Sequence, residues 1–221
     1  MKKETYGPRP AEWMAVLGPF MNEHRARRHV FSPENSALLV IDMQRYFLDE
    51  SSHAHVPAGT EIKANIRAIV SEFHALSLPV IFTRHALLRS EEPGAMASWW
   101  GDVMYDDDES SKVDPDMLPG PGDALVRKRQ YSAFLGTDLD ETLRSGGVTQ
   151  VVITGVMTHL CCESTARDAF MRGYNVFFVV DGTASKNEEL HLASLKNLTD
   201  GFATPVTTEE VLSWLRGRRS S

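Results

Sequence analysis

The chain has two cysteines, and they are adjacent, in "TGVMTHLCCESTARDAF" from Thr154 to Phe170. If a helix starts near Leu160, its 3.6-residue period separates them. Cys162 then shares a small, apolar stripe with Ala166, Ala169, Phe170 and Gly173, as a thiol serving as core filler would. Cys161 shares a polar stripe with Thr165, Asp168 and Arg172, in the first helical turn after a strand. Unpaired N–H groups and the helix dipole favour a thiolate there, which would make Cys161 a nucleophile. The plain alternative is an inert small residue. Two other segments carry reactive groups. Asp42 ends the apolar run "SALLVID", where a carboxylate is out of keeping with what precedes it; a helix cap or turn residue is the alternative. Lys128 stands between two arginines in "RKRQYSAF", a basic triplet that would ordinarily be a solvated surface.

These residues sit at the ends of elements that alternate strand and helix. Ser36 to Asp42, Pro79 to Arg84, Val151 to Val156 and Asn175 to Asp181 are short apolar runs, as expected of strands covered on both faces. "ALVRK" is a weaker strand, and "FATPV" an edge strand because its proline cannot donate to a ladder. Ile62, Ile66, Ile69, Val70, Phe73 and Leu76 recur at helical spacing. "TTEEVLSWLRGRR" opens with threonines and acids and closes with cations, the order a helix dipole prefers. The alternation predicts one α/β domain, a mainly parallel sheet with helices on both faces. Ligands in such sheets bind beyond the carboxyl ends of the strands. Residues 1–30, with Trp13, Met14, Val16, Leu17, Phe20 and Met21, read as an added amphipathic helix before a domain spanning 31–221. Residues 86–123 are loop-like, and loops of that length usually have a function or move.

Composition narrows the classes. With 221 residues, 42% of them hydrophobic, the chain suits one well-packed domain. A net charge of −7 without long single-sign runs argues against a nucleic-acid surface. No run approaches the ~18 apolar residues of a membrane span. The N-terminus lacks the apolar region of a secretory signal, and two vicinal cysteines form no disulfide framework, so a cytoplasmic protein is expected.

Three segments resemble the isochorismatase-like cysteine hydrolases, a family that includes nicotinamidases, N-carbamoylsarcosine amidase and isochorismatases. They are "LLVIDMQRYF", "KRQYSAFLGTDLDETLRSGGV" and "VVITGVMTHLCCESTARDAFMRGYNV", in that order, and the resemblance runs from about Ser36 to Trp214. It implies a six-stranded, Rossmann-like three-layer sandwich and a catalytic triad of Asp42, Lys128 and Cys161. It also implies a cis peptide at Val156–Met157, with the backbone N–H groups of Met157 and Cys161 forming an oxyanion hole. Asp42 would take the thiol proton, Lys128 would stabilise the thiolate, and an amide or ureide of a small molecule would be cleaved through a thioester. The resemblance further places Gln44, Phe47, Tyr131, Phe134 and His159 against the substrate; Trp99 or Trp100 could close the site from the long loop, and for each aromatic core packing is the alternative. Arg84 could meet a carboxylate or pair with an acidic neighbour. The family commonly forms homo-oligomers, here a dimer or tetramer, and residues 13 to 21 offer an apolar contact.

Two forks remain within the family. Nicotinamidases carry a metal on an Asp-x-His motif after the second strand and a further histidine. The corresponding "TRHALLRSEEPG" has His85 but not the motif, and His53 and His55 read as solvated loop residues, so neither metal nor cofactor is expected. Isochorismatases cleave a vinyl ether with the aspartate as general acid and can dispense with the cysteine. The texture of "TDLDETLRSGGV" and "DAFMRGYNV", and His159, lean towards them. The cysteine retained at position 161 favours covalent hydrolysis. A non-catalytic scaffold would be expected to have lost a triad residue, and none is missing.

Overall fold

The computed structural model describes residues 6–21 and 30–219. Its strands are β1 (Ser36–Ile41), β2 (Val80–His85), β3 (Ala124–Lys128), β4 (Gln150–Val156), β5 (Asn175–Ala184) and β6 (Thr204–Val206). The helices are α1 (Pro10–Leu17), α2 (Arg45–Leu48), α3 (Pro57–Glu61), α4 (Lys63–Ala75), α5 (Gly94–Trp100), α6 (Leu139–Ser145), α7 (Glu163–Met171), α8 (Glu188–Gly201) and α9 (Thr208–Arg219).

All strand pairs are parallel, and the sheet order is β3-β2-β1-β4-β5-β6. Every residue of β1 and β4 is buried, which explains why both read as continuous apolar runs rather than alternating ones. Side-chain alternation divides β1 between two cores. Leu38 and Val40 join Ile66, Ile69 and Phe73 of α4 and Val211 and Leu215 of α9. Leu39 and Ile41 join Leu143 of α6, Ala166 and Ala169 of α7, and Leu195 of α8. The sheet is thus the middle of three layers.

The chain runs outward from β1 to β3, then returns to lay β4 on the other side of β1. A crevice opens where the order reverses, beyond the carboxyl ends of β1 and β4. Gly155 makes this junction tight. Its φ is +108°, and a Cβ there would lie 2.1 Å from the Ile41 carbonyl oxygen, so no side chain fits.

Several boundaries differ from the sequence reading. The strand β5 continues past Asp181 to Ala184 through a bulge, since its register with β4 shifts between Ile153 and Gly155. The helix carrying the cysteines does not begin near Leu160: a π turn spans Thr158–Cys162, and α7 follows from Glu163. Residues 86–123 hold α5 and two 3-10 turns, Glu109–Ser111 and Pro115–Met117. The N-terminal helix is shorter than expected; α1 and a 3-10 turn end at Phe20, and residues 1–5 and 22–29 of the expected extension lie outside the described residues. Its Trp13 and Leu17 are buried in the α8 side of the core. No helix among the described residues is long and apolar enough to cross a membrane.

Candidate active site

Asp42 follows β1 directly, with a backbone φ of +47° that non-glycine residues seldom adopt. Such strain costs on the order of 1–3 kcal/mol and needs surrounding contacts to hold it. Thr83 of β2 provides two: its Oγ1 donates to Asp42 Oδ1 at 2.6 Å and accepts from the Asp42 N–H at 3.1 Å. Asp42 Oδ2 lies 2.8 Å from Lys128 Nζ, and the Asp42 carboxylate is also hydrogen-bonded to the Cys161 side chain.

Lys128 ends β3, opposite His85 of β2, and its side chain is fully buried. A buried ammonium requires partners for its charge and its three protons. Besides Asp42, it donates to the Gln130 carbonyl at 2.9 Å and to Cys161 Sγ at 3.3 Å. Burial alone would pull its pKa down; the charges of Asp42 and Cys161 and their hydrogen bonds outweigh that and hold it above the ordinary lysine value.

The Cys161 thiol is pushed up to about 12, chiefly by burial, with Asp42 adding to the rise and Lys128 opposing it. Burial thus works against the thiolate expected at a helix end, and Lys128 works for it, beside a carboxylate able to take the thiol proton. Both cysteines are buried and both border the α8-side core, so the Cys161 end of the expected polar stripe is not solvated, while Asp168 and Arg172 at its far end are partly exposed. Thr165 on that stripe is fully buried and accepts from the Ala133 N–H. What distinguishes the two thiols is the cavity: Cys161 lines it and Cys162 does not. The Val156–Met157 peptide, just before the π turn, is cis.

The cavity measures about 150 Å³, and most of its lining is apolar, including Phe47, Leu87, Met96, Met104 and Leu160. That is on the order of the space one benzene-sized ring fills. Among the residues expected to face a substrate, Phe47, Trp100 and Tyr131 line it. Trp100 Nε1–H donates to Tyr131 Oη at 2.7 Å, and the Lys186 ammonium lies 4.5 Å from the Trp100 ring centre.

Five expected residues do not line it. Gln44 is fully buried, exchanges hydrogen bonds with the His85 backbone and donates to the Ser111 carbonyl. Arg84 takes the second of its two options, pairing with the Asp106 carboxylate. Phe134 stacks on Tyr174 in the core. Trp99 is 80% exposed, pointing away from the cavity that its neighbour covers. His159 bonds Ser185 Oγ through Nδ1 at 2.8 Å. Thr83, which fixes Asp42, was not singled out in the sequence; its only signal was a hydroxyl two residues before a strand end. Tyr46 and Lys186 in the cavity wall carried no local signal at all.

The donors present do not match the metal site described for nicotinamidases. His85 has no aspartate two residues before it; Thr83 is there, and its hydroxyl is committed to Asp42. His85 is pushed down to about 4, by burial first and then by Lys128. His53 Nε2 contacts Tyr46 Oη and the Asp102 carboxylate, both at 3.1 Å. No group of three or more His, Cys, Asp or Glu side chains among the described residues is arranged to hold a metal ion.

The model of the isochorismatase domain matches residues 36–210, which takes in Asp42, Lys128 and Cys161. The chain belongs to the isochorismatase-like hydrolase family. Nicotinamidase 3 of Arabidopsis thaliana is 40% identical over 199 residues, 88% of this chain and 96% of that protein. Enterobactin synthase component B of Escherichia coli is 35% identical over 82% of this chain, which spans 64% of that longer protein. Among solved structures, a cysteine hydrolase from Pseudomonas syringae pv. phaseolicola superposes with a TM-score of 0.83 at 26% identity, covering 86% of this chain and 96% of that one. The N-carbamoylsarcosine amidase of Thermoplasma acidophilum gives 0.70 at 27% identity, covering 79% and 97%.

Proposed function

We propose that this isochorismatase-like hydrolase cleaves the C–N bond of a small amide or ureide through a thioester on Cys161. The observation that carries the reading is the contact of one buried ammonium, Lys128, with both the Asp42 carboxylate and the Cys161 sulfur at the edge of a ring-sized cavity. Asp42 takes the thiol proton as sulfur attacks the substrate carbonyl carbon. Lys128 offsets the charge that moves from carboxylate to sulfur, so the proton leaves without a net charge appearing in the dry site. The N–H groups of Met157 and Cys161 receive the oxyanion. When the C–N bond breaks, Asp42 returns its proton to the leaving nitrogen. A water molecule then gives a proton to Asp42 and its oxygen to the thioester carbon, and the departing sulfur recovers the proton.

The mainly apolar wall suits a substrate with one ring or a short aliphatic acyl group. The amidase names of two similar proteins agree with amide chemistry. A second reading rests on the match to the isochorismatase domain: vinyl-ether hydrolysis with Asp42 as general acid and Cys161 a bystander. Assaying small amides, ureides and isochorismate with the wild type, Asp42→Asn and Cys161→Ala, with and without a strong chelator, separates the two. Amide or ureide turnover lost in both variants and indifferent to chelation supports the first. Brisk isochorismate turnover that survives Cys161→Ala but not Asp42→Asn selects the second.

A further inference from the structure

The family match begins at residue 36, yet side chains from before it reach the layer behind the cysteine turn. Tyr6 Oη accepts from the Ser185 N–H at 2.8 Å and donates to the Ser185 carbonyl at 3.4 Å. Trp13 is buried, its Nε1–H donates to Glu188 Oε1 at 2.7 Å, and its ring lies 4.6 Å from that of His191.

Two of the three residues so contacted, His191 and Ser185, hold the turn in their own right. His191 of α8 is fully buried, and its Nδ1 bonds Thr158 Oγ1 at 2.8 Å. Ser185, just after β5, bonds the His159 ring at 2.8 Å and accepts from the His159 N–H at 3.4 Å. Thr158 and His159 are the first two residues of the π turn that presents Cys161. A third tie, from Ser194 Oγ to the Thr158 carbonyl at 3.2 Å, comes from α8 as well.

A π turn is an uncommon, loosely bonded geometry that recurs at functional sites and depends on its surroundings. Here its surroundings include residues outside the matched family domain. We propose that the segment from Tyr6 to Trp13 fixes the Cys161-bearing turn, with Tyr6 acting through Ser185 and Trp13 through His191 as positioning residues for the hydrolysis described above. The proposal rests on that reading for its kinetic consequence but not for its structural one. His191 is suited to a permanent tie, because burial pushes its pKa down to about 3 and the ring stays neutral through the physiological range. A nucleophile displaced by an ångström loses on the order of a hundredfold in rate, so even partial loosening should be visible in kcat.

The test uses the full chain in three variants: Tyr6→Phe, which removes only the hydroxyl, His191→Leu, and His191→Asn, whose amide can reproduce the Nδ1 bond. Turnover of an amide substrate and hydrogen exchange at residues 158–162 are measured together. Tyr6→Phe should lower kcat by about tenfold with KM held within about twofold. It should speed exchange in the turn and leave α4 unchanged. His191→Asn should recover most of the kcat lost in His191→Leu. Unchanged kcat and unchanged exchange in the turn in Tyr6→Phe overturn the proposal, as does a loss that follows Tm with exchange rising throughout the protein. If His191→Leu does not fold, Tyr6→Phe decides alone. If Cys161→Ala retains amide turnover, the hydrolytic reading fails, and exchange in the turn still decides whether this segment holds it.

Discussion

Thr83 both donates to Asp42 and accepts from it, so one hydroxyl fixes the carboxylate and the strained backbone that bears it. This leaves Oδ2 turned towards the lysine. Thr83→Val keeps the shape and removes both bonds. It should destabilise the protein by about 1–3 kcal/mol, because a buried N–H and a carboxylate oxygen lose their partner. It should also slow turnover by about tenfold or more through misdirection of Oδ2. Thr83→Ser should restore both. Urea unfolding with steady-state kinetics makes the comparison, and a Val variant with wild-type kcat would refute the role.

The adjacent cysteines should behave differently. Cys161→Ala should abolish amide hydrolysis. Cys162→Ala, in the core and outside the cavity lining, should keep it and lose about 1 kcal/mol of stability. Mass spectrometry with a slow amide should find the acyl adduct on the peptide containing Cys161 only in proteins that retain that residue. An inactive Cys162→Ala protein that is still folded would count against the assignment.

Thiol reactivity should run opposite to catalysis in one variant. With the Cys161 thiol pushed up to about 12, alkylation by iodoacetamide should be slow at neutral pH and rise about tenfold per pH unit from 7 to 9 without a plateau. Asp42 is among the groups raising that value, so Asp42→Asn should speed alkylation while stopping hydrolysis. A plateau near pH 7 in the wild type would show a resting thiolate instead.

Acid should weaken the fold before most carboxylates titrate. His85 and His159 are pushed down to about 4 and His191 to about 3, each chiefly by burial. The unfolded chain therefore binds protons from about pH 6.5 downward, while the folded chain does not until near 4. The stability these rings contribute is complete above 6.5 and is lost progressively as pH falls towards 4. The urea midpoint should drop between pH 7 and 5, and His159→Asn should flatten that drop. A midpoint constant over this interval would contradict it.

Much of this arrangement was legible in the sequence. Strands buried on both faces announce themselves as apolar runs, and Asp42 and Cys161 follow the ends of two of them, β1 and β4, while Lys128 ends the weaker, partly exposed β3. What could not be read were directions fixed by partners distant in the chain. Gln44 and Phe47 are three residues apart; one is held by the His85 backbone, and the other faces the cavity. Trp99 and Trp100 differ only in which side of α5 they occupy. Arg84 is paired because Asp106 arrives from a loop whose course no local pattern describes. The burial that works against a Cys161 thiolate was unreadable for a related reason: the dipole is local, whereas burial is set by the whole fold.

Tyr6 and Ser185, which share two hydrogen bonds, are separated by 179 positions in the chain. During synthesis the segment around Tyr6 emerges before its seat, which does not exist until β5 and α8 have formed. Asp42 and Lys128 both belong to the earlier half of the sheet, so their charges can neutralise one another before the sulfur arrives. The segment around Tyr6 must wait for those later elements, and closing so long a loop is among the slower steps available to a chain. A reaction centre braced by it is complete only once the two distant segments have met.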